Sequence, residues 1–207
     1  MGWYDDHMVP QLIKCACSSP AIMKVRQHVV PLARGAVFEL GCGGGINQQF
    51  YDPAQVTSYA GMDPSAKGRD YARAAAQRQG RSADVRDGVG EALPYGDAKF
   101  DCVVCTFTLC SVDDPGQVLR ELRRVLKPGG RLLYAEHGRA PDAGVATWQD
   151  RIEPVWKHLA GGCHLTRPVS ASIAQGPFAV TQLGAHYAPK TPRWAGWIEW
   201  GEAVKAA

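Results

Sequence analysis

The chain has 207 residues, of which 45% are hydrophobic and 21% are charged, a composition typical of a folded globular protein rather than a disordered one. Its 23 basic and 20 acidic residues give a formal net charge of +3, and both signs are mixed along the sequence. This balance argues against a nucleic acid as partner, and the length fits a single domain over residues 1–207.

The N-terminus carries Asp5 and Asp6 where a signal peptide would be basic, and no apolar run approaches the length that spans a bilayer. We therefore expect a cytoplasmic protein with no stable membrane anchor, which leaves room for peripheral contact with a membrane. Seven cysteines, an odd number, fit a reducing compartment in which they serve as small apolar residues.

Apolar spacing and turn residues predict an alternation of helices and strands along the chain. Helical spacing between residues 8 and 30 predicts a helical N-terminal segment over 1–34. Next come predicted strands at 36–40, 56–65 and 82–88, with a helix at 67–78 between the second strand and the third.

The second half begins with a predicted strand at 99–109, followed by the clearest helix of the chain. Asp114 is placed to cap this helix and Pro115 to occupy its first turn, while Lys-Pro-Gly-Gly at 127–130 ends it. The remaining predicted elements are a fifth strand at 131–137, an amphipathic helix at 146–159, a short helix and a sixth strand within 167–180, and a seventh strand at 194–206.

Strands that alternate with helices imply parallel pairing through right-handed crossovers, and hence an open, doubly wound α/β sheet. Ligands of such sheets bind beyond the carboxyl ends of the strands. Five consecutive strand ends carry glycine-rich or polar residues, at 41–45, Asp63, 88–91, 106–110 and 136–137. The sequence therefore predicts one binding site along this edge of the sheet.

The glycine-rich stretch FELGCGGGIN, residues 38–47, follows the first strand. Its glycines allow a sharp turn of the backbone and a close approach by a ligand. A dinucleotide-binding fingerprint that starts at Gly41 requires a third glycine at the position of Ile46, and a phosphate-binding P-loop requires a lysine that this stretch lacks. Both hypotheses of phosphate binding are therefore disfavoured.

Two acids beside this stretch indicate another ligand. Glu39, two residues ahead of Gly41, would repel a pyrophosphate but suits an ammonium group, directly or through water. Asp63 ends the next strand, where a carboxylate can accept hydrogen bonds from both hydroxyls of a ribose. A ligand with an ammonium group, a ribose and no phosphate is S-adenosylmethionine.

These residues resemble motif I of the class I S-adenosylmethionine-dependent methyltransferases, and GVGEALPYGDAKFDCVV (88–104) and VLRELRRVLKPGGRLLYAEHG (118–138) resemble later segments of that family. The resemblance implies a Rossmann-like seven-stranded sheet, mostly parallel with an antiparallel last strand, and a cofactor-binding core over 35–138. Val89 stands where the family often has an acid near the adenine amino group. The expected cofactor contacts are Glu39, Gly41, Cys42, Gly43, Gly45, Asn47, Asp63, Pro64, Ser65, Gly90, Glu91, Thr106 and Cys110.

Three further segments, at 103–115, 135–138 and 148–168, resemble small bacterial phospholipid methyltransferase-like enzymes and mammalian methyltransferase-like enzymes that methylate thiols. The resemblance implies a small thiol as first acceptor, with a phospholipid amine or another small hydrophobic molecule as the alternative. It also implies a helical substrate cover over 139–167, followed by the C-terminal strands over 168–207.

Within the cover, Trp156 is expected to form an aromatic wall for the acceptor, while Cys163, His164 and Arg167 lie at predicted rim positions. The alternative is that these side chains only pack, or tie the cover to the rim. Cys102 and Cys105 form a C-x-x-C pattern, but residues three apart in a strand face opposite sides, so we expect no metal site.

Glu136 and His137 end the fifth strand beside the expected methyl group, where either is a candidate to accept the acceptor's proton. The alternative for Glu136 is a buried, hydrogen-bonded carboxylate that braces the cover loop. Transfer to a thiol would be an in-line displacement in which positioning and desolvation supply most of the catalysis. A nicotinamide-dependent oxidoreductase and a non-catalytic S-adenosylmethionine-binding protein remain alternatives of other classes.

Overall fold

The computed structural model describes residues 18–176 and 178–205. Helix α1 spans Pro20–Val29, and a 3-10 turn, Val30–Leu32, follows it. This part of the predicted N-terminal helical segment is confirmed, whereas its portion before Ser18 lies outside the described residues. Helix α1 packs on the sheet through Ile22, Val25 and Val29, which lie on one face and are buried.

Seven strands form one sheet in the order β3-β2-β1-β4-β5-β7-β6. Neighbouring strands from β3 to β5 pair in parallel, while β7 runs antiparallel to both β5 and β6. This confirms the predicted Rossmann-like doubly wound sheet. The strands are β1 Gly35–Leu40, β2 Val56–Met62, β3 Ala83–Arg86, β4 Phe100–Thr106, β5 Leu126–His137, β6 Phe178–Tyr187 and β7 Trp197–Lys205.

Five further helices connect or flank the strands: α2 Ala66–Arg78, α3 Pro115–Val125, α4 Ala143–Leu159, α5 Val169–Gln175 and α6 Arg193–Gly196. The predicted cap of α3 is confirmed, because the Asp114 carboxylate accepts the backbone N–H of Gln117 at 2.9 Å. Helix α4 and the segment after it, residues 160–167, fall within the range predicted for the substrate cover and are called the cover.

Several predicted boundaries are wrong because strand pairing extends or shortens the elements. The fifth strand begins at Leu126, because this residue pairs with Phe100 before the register of the two strands shifts. The fourth strand ends at Thr106, because Phe107 has a φ of 55°. The sixth strand continues past 180 as far as Tyr187, since it pairs with β7 along that length. A short helix replaces the start of the seventh strand, and a 3-10 turn, Ile46–Phe50, follows the glycine stretch.

The sheet separates two apolar layers that cover its faces. Phe38, Val103 and Leu122 belong to one layer, and Val37 and Val104 belong to the other. This alternation also divides the C-x-x-C pattern, because Cys105 lies in the first layer and Cys102 in the second, as predicted. Among the residues that the structure describes, no helix combines the length and the apolar character that crossing a membrane requires.

Candidate active site

A cavity of about 860 Å³ opens at the carboxyl ends of β1, β2 and β4, within the range of roughly 300–1,000 Å³ typical of small-molecule sites. Most of the predicted cofactor contacts lie in its wall. They are Glu39, Gly41, Cys42, Gly43, Asp63, Pro64, Ser65, Gly90, Glu91 and Thr106. Gly45, Asn47 and Cys110 lie outside this wall.

The glycine loop, residues 41–45, has a backbone that other residues would strain. Gly41 has a φ of 70°, and a Cβ at this position would lie 2.1 Å from Thr108 Oγ1. Gly45 has a φ of 67°, and its Cβ would lie 2.6 Å from the Cβ of Ala75 in α2. The loop is therefore held between α2 and the loop after β4, and its glycines leave backbone along the cavity.

Asp63 is fixed by the loop that it faces. Its Oδ2 accepts the backbone N–H of Gly43 at 2.9 Å, and its Oδ1 accepts that of Ser65 at 2.9 Å. Burial raises the pKa of this carboxyl, whereas these two hydrogen bonds lower it. Each oxygen retains a second acceptor position, so the side chain suits a pair of vicinal hydroxyls such as those of a ribose.

The Glu39 carboxylate forms the floor of the cavity and is held from three sides. Its Oε1 accepts the Asn47 side-chain amide at 2.8 Å, and its Oε2 accepts the hydroxyls of Tyr51 at 2.9 Å and Tyr59 at 2.7 Å. Burial raises the pKa of Glu39, and the hydrogen bonds with Tyr59, Tyr51 and Asn47 and the charge of Arg26 lower it. Asn47 thus supports Glu39 from beneath instead of facing the cavity.

Arg26 is a wall residue that sequence reasoning missed. Its Nη1 donates to Asn47 Oδ1 at 2.7 Å and to Thr106 Oγ1 at 2.6 Å, and its guanidinium carbon lies 5.0 Å from the centroid of the Phe107 ring. One signal could have found it: Arg26 follows Ile22 and Val25 on the apolar face of α1, where a cation is unexpected.

Glu136 lies behind the cavity wall. Its Oε1 accepts the backbone N–H groups of Thr108 at 2.9 Å and Leu109 at 3.1 Å, and its Oε2 accepts that of Cys110 at 3.2 Å. Burial raises the pKa of Glu136 to about 7, although these three bonds lower it. The carboxylate thus braces the loop after β4, and this arrangement matches the structural alternative considered for Glu136.

His137 is also separated from the cavity. Its ring packs edge to face against Phe107, with 5.2 Å between the ring centroids, and Phe107 rather than His137 lines the cavity. Burial lowers the pKa of His137 to about 4, so the imidazole is neutral at pH 7. A neutral imidazole with so low a pKa is a weak acceptor for a thiol proton.

The four predicted acceptor residues lie together where the cover meets the loop after β4, but outside the cavity wall. The Cys163 Sγ lies 3.6 Å from the Cys110 Sγ, and Arg167 Nη1 donates to the Leu109 carbonyl at 2.8 Å. His164 Nδ1 lies 2.5 Å from Glu153 Oε1 of α4, and Trp156 packs edge to face on Trp194. The contacts of Cys163 and Arg167 tie the cover to the rim, whereas that of His164 lies within the cover and that of Trp156 joins it to α6. Gly161 is a cover residue that does line the cavity.

The opposite end of the cavity is apolar and open. Val89 and Tyr71 line it with 53% and 39% of their surfaces exposed. The Glu91 carboxylate accepts the backbone N–H groups of Asp113 at 3.0 Å and Asp114 at 3.1 Å, which fixes this side chain beside the start of α3. A planar heterocycle such as adenine fits between apolar walls of this kind, with backbone groups at its edge.

Comparisons with known proteins agree with this geometry. A family model described as "Methyltransferase domain" matches residues 38–134. The rat thiol S-methyltransferase TMT1B is 38% identical over 82% of this chain and 70% of its own length, and human thiol S-methyltransferase TMT1A is 32% identical over 80% and 68%. A solved S-adenosylmethionine-dependent methyltransferase from Thermotoga maritima has the same fold, with a TM-score of 0.68 at 20% identity over 97% of this chain and 99% of the other.

The chain therefore belongs to the class I S-adenosylmethionine-dependent methyltransferases. It is an enzyme that takes S-adenosylmethionine as methyl donor and a small molecule as acceptor. Within this class its sequence is similar to the thiol S-methyltransferases from rat and human, and this similarity extends beyond the donor-binding core into the cover.

Proposed function

We propose that this enzyme transfers the methyl group of S-adenosylmethionine to the sulfur of a small, hydrophobic thiol. The observation that carries the proposal is the 38% identity to a thiol S-methyltransferase over 82% of the chain. This aligned stretch is longer than residues 38–134, which match the methyltransferase domain. The apolar cavity walls at Ile46, Phe107 and Val112 support an apolar acceptor.

The donor end of the site is proposed to rest on three charged side chains. When bound, S-adenosylmethionine supplies a methyl group on a positively charged sulfur. Asp63 is positioned to hold ribose hydroxyls, while Glu39 and Arg26 place one acid and one cation in the same floor. This pair complements a ligand whose amino-acid end carries both an ammonium group and a carboxylate.

A thiol must lose its proton, because the thiolate is the nucleophile. The sequence-based prediction that Glu136 or His137 accepts this proton stays a prediction, and their positions behind Phe107, Thr108 and Leu109 favour another route. We propose that the acceptor is deprotonated by water and that the cavity orients the thiolate between its apolar walls at Phe107 and Val112. The enzyme then contributes orientation and the exclusion of water.

A phospholipid amine is the second candidate acceptor, favoured by the outer face of α4. Trp148, Val155 and Leu159 expose 57%, 62% and 59% of their surfaces, and the Arg151 guanidinium lies 5.6 Å from the Trp148 ring centroid. Such a face suits peripheral contact with a membrane. We also propose a cytoplasmic location for the enzyme. The five cysteines in the described residues have free thiols, which is typical of a reducing compartment.

The test is a competition for labelled methyl groups. The full chain is incubated with methyl-labelled donor and, in one mixture, a small alkyl thiol, a phenol and phosphatidylethanolamine vesicles. We expect the label in the methyl thioether, and Asp63→Ala should abolish the labelling of every acceptor whereas exposed Asp70→Ala should not. Label in the lipid or the phenol with none in the thiol would show that the proposed acceptor is wrong.

A further inference from the structure

Two cysteines meet where the cover touches the loop after β4. The Sγ atoms of Cys110 and Cys163 lie 3.6 Å apart, and the backbone N–H of His164 donates to the Cys110 carbonyl at 2.8 Å. Cys110 is buried, whereas Cys163 is only half-buried. The pair therefore has one thiol that small reagents can approach and a second thiol directly behind it.

The segments that carry these thiols are fixed to different extents. The Glu136 carboxylate accepts the backbone N–H of Cys110 and of the two residues before it, which anchors the loop after β4 to the sheet. Cys163 belongs to the short segment that follows α4, which the Glu153 carboxylate holds through Leu165 N at 2.8 Å. The immediate neighbour of Cys110, Ser111, lines the cavity, as does Gly161 on the other segment.

The surroundings give the two thiols different reactivity. The hydrogen bond between the two thiols lowers the pKa of Cys163, while the same bond and burial raise the pKa of Cys110. Cys163 is thus the thiol that ionises and attacks, and Cys110 is the thiol that follows. Cys102 and Cys105 are buried within the apolar layers of the sheet, which separates them from reagents in solution.

We propose that Cys110 and Cys163 form a reversible disulfide whose oxidant is a small organic disulfide, RSSR. The Cys163 thiolate attacks one sulfur of RSSR, so that a mixed disulfide forms and RS⁻ leaves. The Cys110 sulfur then attacks the Cys163 sulfur and displaces the second RS⁻. Two protein thiols are oxidised, one RSSR is reduced, and the two protein protons end on two RSH molecules.

The resulting bond would join the cover covalently to the rim of the cavity. A disulfide has an S–S length of about 2.05 Å, so the present contact needs only a small approach of the two segments. The cover is then held against the loop after β4, and exchange of acceptor and product slows, by about tenfold for a gating contact of this kind. Donor binding, which depends on β1 and β2, stays within about twofold of its reduced value.

Mass analysis of the full chain treated with bis(2-hydroxyethyl) disulfide tests the chemical step. We expect a linked peptide pair that contains residues 110 and 163 and has lost two hydrogens, and full reversal by dithiothreitol. Cys110→Ser should retain the mixed disulfide on Cys163, Cys163→Ser should form neither product, and Cys102→Ser should react like the unmodified sequence. A cross-link of Cys110 or Cys163 to a different cysteine, or a mixed disulfide on Cys163 that never resolves in the unmodified sequence, would overturn the proposal.

The functional part needs a separate measurement, because the mass analysis does not depend on which acceptor is methylated. Binding of S-adenosylhomocysteine is compared before and after oxidation by calorimetry, and turnover is compared with whichever acceptor the competition identifies. We expect unchanged binding and slower turnover, restored by dithiothreitol and insensitive to oxidation in Cys163→Ser. Equal turnover of the cross-linked and reduced enzyme would overturn the gating role.

Discussion

The donor half and the cover of this enzyme are held by different kinds of contact. The donor half, formed by the glycine loop with Asp63 and Glu39, rests on backbone turns and on carboxylates that each accept several hydrogen bonds. The segment after α4 meets the loop after β4 through isolated contacts, such as the Arg167 side chain with the Leu109 carbonyl and the His164 backbone N–H with the Cys110 carbonyl. The donor half is therefore built to stay fixed, while the cover is the part that substitution can loosen separately.

The largest effect is expected at Asp63. In Asp63→Ala, two charge-assisted hydrogen bonds to ribose are lost, and affinity for S-adenosylhomocysteine should fall by about 100- to 1,000-fold. Calorimetry measures this, with exposed Asp70→Ala as the matched control and circular dichroism to verify folding. A loss of less than about fivefold in a folded variant would remove Asp63 from the donor site.

The glycine loop should be the next most sensitive position. Gly41→Ala combines a φ of 70° with a Cβ that would meet Thr108 at 2.1 Å, whereas Gly80→Ala has a φ of 66° and no atom within 4 Å. The two variants share the backbone strain, so Gly41→Ala should lower the free energy of unfolding by about 2 kcal/mol more than Gly80→Ala. Urea titration of both variants measures the difference, and equal losses would contradict the tight packing of this loop.

Glu136 and His137 should give opposite dependences of stability on pH. The pKa of Glu136 is raised to about 7 from 4.5, so the folded state keeps a proton that the unfolded state loses, and stability falls as pH rises from 4.5 to 7. The pKa of His137 is lowered to about 4 from 6.5, so stability falls as pH drops from 6.5 to 4.

Replacing one of these two residues should therefore leave the pH dependence of stability that the other residue causes. Across pH 4.5–6.5, Glu136→Gln should make the unfolding free energy rise with pH relative to the unmodified enzyme, and His137→Phe should make it fall, each by about 1–2 kcal/mol. Urea titrations at a series of pH values measure how the unfolding free energy of each variant changes with pH, with exposed Asp70→Asn as control. If the unfolding free energy changed with pH in the same direction in both variants, the raised pKa of Glu136 and the lowered pKa of His137 would be contradicted.

The smallest effect is expected in the cover. Arg167→Ala removes one hydrogen bond to the loop after β4, worth about 1 kcal/mol, so the KM for the acceptor should rise by about fivefold. The Kd for S-adenosylhomocysteine should not change. Arg151→Ala, on the exposed face of α4, is the control, and a weakened donor affinity in Arg167→Ala would contradict the separation of the two halves.

The sequence predicted the features that lie within short segments better than the contacts that join distant segments. Gly41 and Asp63 come directly after strands with clear apolar patterns, so the glycine loop and the acid proposed to bind ribose were predicted from short segments. The hydrogen-bond partners of Glu39 were not predicted, because Tyr51 and Tyr59 reach its carboxylate from separate elements. Arg26 was missed for the same reason, since its contacts with Asn47 and Thr106 join positions 21 and 80 residues apart.

The bounds of β5 and β6 were predicted less well than those of β1. The extent of β6 depends on its pairing with β7, and the early start of β5 depends on the pairing of Leu126 with Phe100. Local propensity does not report such pairings. For the cover, the sequence placed Cys163, His164 and Arg167 at the rim, but their partners Cys110, Glu153 and Leu109 lie on other segments and required the structure.

The pH dependence of methyl transfer to two alkyl thiols with different pKa values tests the central claim most directly. If the cavity orients a thiolate and takes no proton itself, the apparent pKa of kcat/KM should follow the pKa of each thiol. Transfer to both thiols with one apparent pKa, abolished in Glu136→Gln or His137→Phe, would contradict the account and make that residue the proton acceptor.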